Sequence, residues 1–239
     1  MAPTGGSASI IATSLTDGTK NVSASVKITG TASNASLNGH YALLITSATG
    51  QLGTSVSAAS VIADGNGKIT GGVEELTGPG STDLLDPVTD GTYLIDPSGH
   101  GTMLIHTALF ETLKFSFVLT SATHALIIEI DGTPASGTMD LLQPVGASFT
   151  AAQISGNYSF AMDGVDNSGT LNYMSMAGTF AADGVGALTS GTLDINNGGT
   201  FTTASFTGTF SAPDPNGRGK MQVSTGRTFV YYIISSKVL

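Results

Sequence analysis

Four histidines, His40, His100, His106 and His124, are the first candidates for metal binding or proton transfer. Zinc needs three or four converging ligands, commonly spaced as H-x-E-x-H or H-E-x-x-H, and neither pattern occurs. His100 and His106 share strand parity but lie about 20 Å apart along an extended chain, too far for one ion. Each histidine is read as a satisfied or solvated side chain, and nothing in the sequence calls for a metal or a cofactor. A hydrolase would need two carboxylates facing each other across a cleft, or a serine, a histidine and an acid within hydrogen-bond reach. The candidate acids are Glu74, Glu75, Glu111, Glu129, Asp163 and Asp166. Glu129 alternates with Leu126, Ile128 and Ile130, so it falls on the outer, wet side if those three are core. Serines are too numerous for proximity to histidine to mean anything, and no G-x-S-x-G elbow is present. No catalytic residue can be assigned.

Two stretches carry oxygen ligands that calcium could use, Asp163-Gly164-Val165-Asp166-Asn167-Ser168-Gly169 and Asp194-Ile195-Asn196-Asn197-Gly198-Gly199. Neither fits the calcium loop with its distant glutamate, and both have the composition of ordinary turns. An intramolecular isopeptide bond would need a buried lysine beside an acid, for which Lys27 and Lys114 are only formal candidates.

These residues must be positioned by strands. Gly supplies 32 of the 239 positions, only 10% are charged, and Ser and Thr crowd every segment, a profile of strands and tight turns. With 40% hydrophobic residues the chain can bury one large core or two modest ones. A net charge of −9 with eight scattered Lys and Arg leaves no basic stripe for nucleic acid. With no Cys, stability must come from packing and sheet hydrogen bonds. No apolar run reaches the roughly 20 residues of a spanning helix. The N-terminus lacks a basic and then apolar export signal, so any such signal has been removed or lies outside this chain.

The sequence repeats itself. Leu37-Asn38-Gly39-His40-Tyr41 matches Ile154-Ser155-Gly156-Asn157-Tyr158, and Ile62 to Gly67 matches Ala181 to Gly186. Gly91-Thr92-Tyr93 matches Gly208-Thr209-Phe210, and Asp96 to Gly101 matches Asp214 to Gly219. These pairs stand 117 to 119 positions apart, and Phe115 to Leu119 then corresponds to Phe229 to Ile233. The second copy ends at Leu239, opposite Leu126, without a counterpart of Ile127 through about Gln143. We therefore expect an all-β chain of two tandem antiparallel meander modules, small up-and-down barrels in the lipocalin manner, at residues 34–146 and 147–239, the second lacking its last strands. About eight strands per copy are predicted, near 41–46, 57–63, 68–75, 91–95, 102–106, 114–120, 125–130 and 138–142. Asp64-Gly65 and Asp183-Gly184 are hairpin-turn signals.

Residues 1–33 differ from both copies and predict a β-hairpin, Ala8 to Thr13 with Val22 to Thr29, around Asp17-Gly18. This hairpin resembles the closing strands of a bacterial immunoglobulin-like domain. Two strands cannot bury a core alone, so we expect it to complete the second module's sheet, within one chain or between neighbours. The copies themselves resemble repeated β-rich modules of large predicted extracellular proteins of soil bacteria. The residues carrying that likeness are Gly156-Asn157-Tyr158-Ser159-Phe160, Thr179 to Gly184, Asn216-Gly217-Arg218-Gly219 and Tyr231 to Lys237. Copy one departs from them with His100 in place of Arg218 and His124 near the place of Lys237. The resemblance implies a secreted or cell-surface location and brings no catalytic role with it. The expected function is that of a structural or interaction module, with possible self-association through the unpaired edge of the second module. The alternatives are a ligand-binding barrel for a glycan or small apolar molecule, and a secreted hydrolase of polysaccharide or esters. Aromatics at 7% with no Trp argue against strong sugar stacking. A filled barrel would favour the first reading, an open cavity the second and opposed carboxylates the third.

Overall fold

The computed structural model describes residues 6–13, 19, 21–28, 32–49, 53–77, 84–109, 112–132, 134–143, 148–166 and 172–235. Short alternating segments punctuated by Gly and Asp produce strands throughout. The strands are β1 Gly6–Thr13, β2 Asn21–Ile28, β3 Asn38–Thr49, β4 Gly53–Asp64, β5 Lys68–Thr77, β6 Leu84–Ile95, β7 His100–Thr107 and β8 Thr112–Leu119. They continue with β9 His124–Glu129, β10 Ala135–Leu141, β11 Ser155–Asp166, β12 Asn172–Asp183, β13 Ala187–Asn197, β14 Thr200–Phe210, β15 Arg218–Val223 and β16 Thr228–Tyr232.

β3 to β10 form an antiparallel meander that closes into an eight-stranded barrel, because β10 pairs with β3 from Ala135 opposite Ser47 to Leu141 opposite Tyr41. Period-two alternation decides what fills it. Tyr41, Leu43, Ile45, Met103, Ile105, Phe115, Phe117, Ile127 and Met139 all point inward and are at most 5% exposed. Each large apolar side chain so buried contributes about 1.5–3 kcal/mol. A single 3-10 turn, Asn34–Ser36, caps one end. Below it Leu37 is fully buried, and the Tyr93 hydroxyl donates to the Leu37 carbonyl at 2.6 Å. The Asn34 side-chain oxygen accepts from the Ile95 N–H at 2.9 Å, which ties the plug to β6.

One expectation about the wall is corrected. Ala125 and Ile127 face the interior at 1% exposure each, whereas Leu126, Ile128 and Ile130 are 52%, 50% and 54% exposed. Glu129 therefore shares the inward parity of Ala125 and Ile127, the reverse of the sequence reading. Within β9 the outward Leu126 and Ile128 are together bulkier than the inward Ala125 and Ile127, and Ile130 follows on the same parity, so hydrophobicity alone pointed to the wrong face.

β11 to β16 form a six-stranded sheet in the same order of hairpins. The correspondence with β3 to β8 extends to individual bonds. Asp64 Oδ1 accepts from Asn66 N and Lys68 N, and Asp183 Oδ1 from Val185 N, Gly186 N and Ala187 N. The glycine after each aspartate sits at φ +77°, a left-handed conformation that suits glycine. Leu119 N donates to Gly99 O, and Ile233 N to Gly217 O, at 2.9 and 3.0 Å. The Phe117 ring lies over Gly101 and the Tyr231 ring over Gly219, each where a Cβ would otherwise stand. The first 3-10 turn has its counterpart at Ala151–Gln153, with Ile154 fully buried beneath it as Leu37 is in the barrel.

No described strand follows β16, so the second sheet stays open where β9 and β10 close the first. The N-terminal hairpin pairs β1 with β2 and, among the described residues, joins neither β11 nor β16. The outer wall of the first barrel lies against the open side: Ala42 and Leu142 pack with Tyr232, and Gln143 N donates to Ile234 O at 3.1 Å.

Candidate functional site

The histidines do not converge. His106 Nδ1 lies 2.6 Å from Asp90 Oδ1, His124 Nδ1 lies 2.6 Å from Asp140 Oδ1, and His100 Nε2 lies 3.1 Å from Ser116 Oγ. His40 sits 6.3 Å, ring centroid to centroid, from Phe149, and its Nδ1 is buried with no hydrogen-bond partner. Among the described residues no group of three or more His, Asp and Glu is placed to hold a metal. The two calcium candidates resolve into strands and turns. Asp163 and Asp166 belong to β11, Asp194 Oδ1 accepts from Thr203 Oγ1, and Asn196 Oδ1 accepts from Gly199 N. Asn167 to Gly169, Glu111 and Lys237 lie outside the described residues. Lys114 is exposed and so lacks the buried setting an isopeptide bond needs.

Carboxylates do meet at the barrel end opposite the 3-10 plug. Glu74 and Asp86 stand opposite each other on β5 and β6 and are 7% and 1% exposed. Ser57 Oγ donates to Glu74 Oε1 at 2.7 Å, and Leu109 N donates to Asp86 Oδ1 at 2.9 Å. Burial pushes the Glu74 carboxyl above its ordinary value, the nearby Asp86 charge pushes the same way, and the Ser57 bond opposes both. Glu129, also facing inward, is raised by burial and then by the charges of Asp131 and Glu74. Asp86 was not a sequence candidate. It precedes Pro87 between the predicted strands 68–75 and 91–95, and on β6 Leu85 is exposed while Asp86 is buried, which inverts the usual polarity cue.

The more developed feature is the seam between the modules. Glu75, one residue along from Glu74 and so on the outer face of the barrel, meets Arg218 at the start of β15. Arg218 Nε donates to Glu75 Oε2 at 2.6 Å and Nη2 contacts the same oxygen. The side chains are 12% and 2% exposed, so the pair is buried. Arg218 occupies the position that His100 holds in the barrel, and the guanidinium reaches a partner that a shorter imidazole would not. The departure was visible in the sequence; its partner, on the other module, was not. Beside the pair, Tyr232 is 7% exposed, and burial holds its phenol well above the ordinary value while the neighbouring Arg218 guanidinium opposes that shift. Burial likewise pushes Tyr231 up to about 12, while its hydroxyl donates to the Ser211 carbonyl at 2.5 Å.

Where the open sheet faces the barrel wall a cavity of about 470 Å³ remains. Phe160, Phe180, Phe206 and Met221 line it from the sheet, and Leu44, Ala58 and Thr138 from the wall. On the outer face of the same sheet, Ser159, Thr179, Ser190, Thr192, Ser205 and Thr207 line a shallow groove.

No family model, curated protein or solved structure matches this chain. The reading of its function therefore rests on its own residues.

Proposed function

We propose that the chain is a structural and interaction module of a secreted or cell-surface bacterial protein, working through packing and strand pairing and not through a reactive centre. The observation that carries this reading is the closed barrel, whose interior is occupied by its own Tyr, Phe, Met, Leu and Ile side chains. The turn and core motifs that resemble modules of extracellular soil-bacterial proteins support the location, as do the Ser- and Thr-rich strand faces. The chain's negative charge argues against nucleic acid as the partner.

Self-association is the form of interaction we favour. The N-terminal hairpin pairs Gly6–Thr13 with Asn21–Ile28 and, among the described residues, pairs with no other strand. Such a ribbon gains by adding to a strand edge, and β11 lies at an edge of the six-stranded sheet. Light scattering on the full chain and on residues 31–239 tests this, since Ser33 is kept to bond Ser36 at the barrel plug. The expected result is a concentration-dependent mass above the 24.0 kDa monomer for the full chain, lost on truncation. A full chain that remains monomeric at every concentration would contradict it.

A further inference from the structure

The seam cavity is an unfilled, mainly apolar space left between the two modules. Its volume of about 470 Å³ falls within the ~300–1,000 Å³ range of small-molecule pockets, which favour domain interfaces. The space is too small for strands. Two strands of eight residues occupy roughly 2,500 Å³ at about 3.3 Å per residue, about 4.8 Å between strands and about 10 Å between packed layers.

We propose that this cavity binds one small neutral amphiphile, an apolar chain or ring that carries a hydroxyl. The apolar body is matched by Phe160, Phe180, Phe206 and Met221. The polar end is matched on the barrel wall, where Thr138 and Asp140 also line the space. His124 Nδ1 engages Oδ1 of Asp140, and among the described residues none bonds Oδ2, which is placed to accept. A hydroxyl can donate to that oxygen without shedding the hydration of a full charge. An anionic head is disfavoured by the same carboxylate and by the chain's net charge of −9. The ligand would also tie the modules together, since both supply its contacts.

Titration of the full chain with N-phenyl-1-naphthylamine, followed by fluorescence, tests the proposal. Saturable binding of one probe per chain is expected, displaced by 1-decanol and at least about tenfold less well by decanoate at pH 8. Ala58→Phe and Thr138→Phe should each weaken probe binding by about tenfold or more by filling the space, Thr138→Phe with an unchanged melting temperature. Both positions lie on the outer face of a closed barrel, so neither ring enters its core. Absence of saturable binding, more than one probe per chain, or undiminished affinity in both variants would overturn the site. Equal displacement by decanol and decanoate would overturn the head-group assignment.

Discussion

Removing the guanidinium at the seam should be among the most damaging single changes outside the cores. In Arg218→Met the Glu75 carboxylate, 2% exposed, loses the cation that compensates for its burial. Breaking a buried pair from one side costs roughly 3–5 kcal/mol. For a chain of this size that lowers the melting temperature by about 6–20 °C, at ~2–4 °C for each kcal/mol. Replacing both partners, Glu75→Leu with Arg218→Met, removes the stranded charge and should bring stability back to within about 1 kcal/mol of the parent. Urea denaturation of the four proteins of this cycle, followed by far-ultraviolet circular dichroism, gives the coupling directly. The partners belong to different modules, so the loss should appear in the barrel and in the open sheet together. An Arg218→Met cost below about 1 kcal/mol, the size typical of an exposed pair, would refute the reasoning.

Two neighbouring isoleucines test the parity of β9: Ile127→Ala should cost about 2–5 kcal/mol, whereas Ile128→Ala should stay within about 0.5 kcal/mol, both by denaturant midpoint. Gly219→Ala should cost about 1–3 kcal/mol, because a Cβ there meets the Tyr231 ring, and Tyr231→Ala in the same chain should relieve that clash while opening a cavity of its own. The pH dependence of stability carries the sign of Glu74. Its folded-state pKa lies above the ordinary value of 4.5, so the folded chain holds that proton more tightly than the unfolded chain. Stability is then fully supported below 4.5 and falls as pH rises through the folded value; Glu74→Gln should remove the fall and stabilise the protein at pH 7. The turn carboxyls Asp64, Asp96 and Asp183, lowered by the N–H and hydroxyl groups they accept from, act oppositely and lose their support as pH falls below 3.8.

The turns were the most legible part of the sequence. Asp64-Gly65 and Asp183-Gly184 specify their geometry locally, since the carboxylate collects turn N–H groups and the glycine takes a positive φ, and spacing between such turns conveys strand number. Phe115 and Phe117 alternate with polar neighbours and sit where that alternation puts them. β9 did not obey the same rule, because its outward Leu126 and Ile128 are as apolar as its core residues. A single strand cannot reveal its own facing when both faces are hydrophobic. Glu75 and Arg218 stand 143 positions apart and meet only because one module leans on the other, which no periodicity encodes. The barrel-end acids were half legible: Glu74 was a candidate, while Asp86 was hidden beside Pro87.

Everything above depends on one meander being closed by its own strands and the next being covered by its neighbour's wall. Nuclear Overhauser spectroscopy on the full chain measures both. We expect contacts between Leu43 and Met139, which face each other across β3 and β10, and contacts between Ala42 and the Tyr232 ring across the seam. Cross-strand contacts joining β11 directly to β16, or none between Ala42 and Tyr232, would show that the second module closes by itself and would contradict the account.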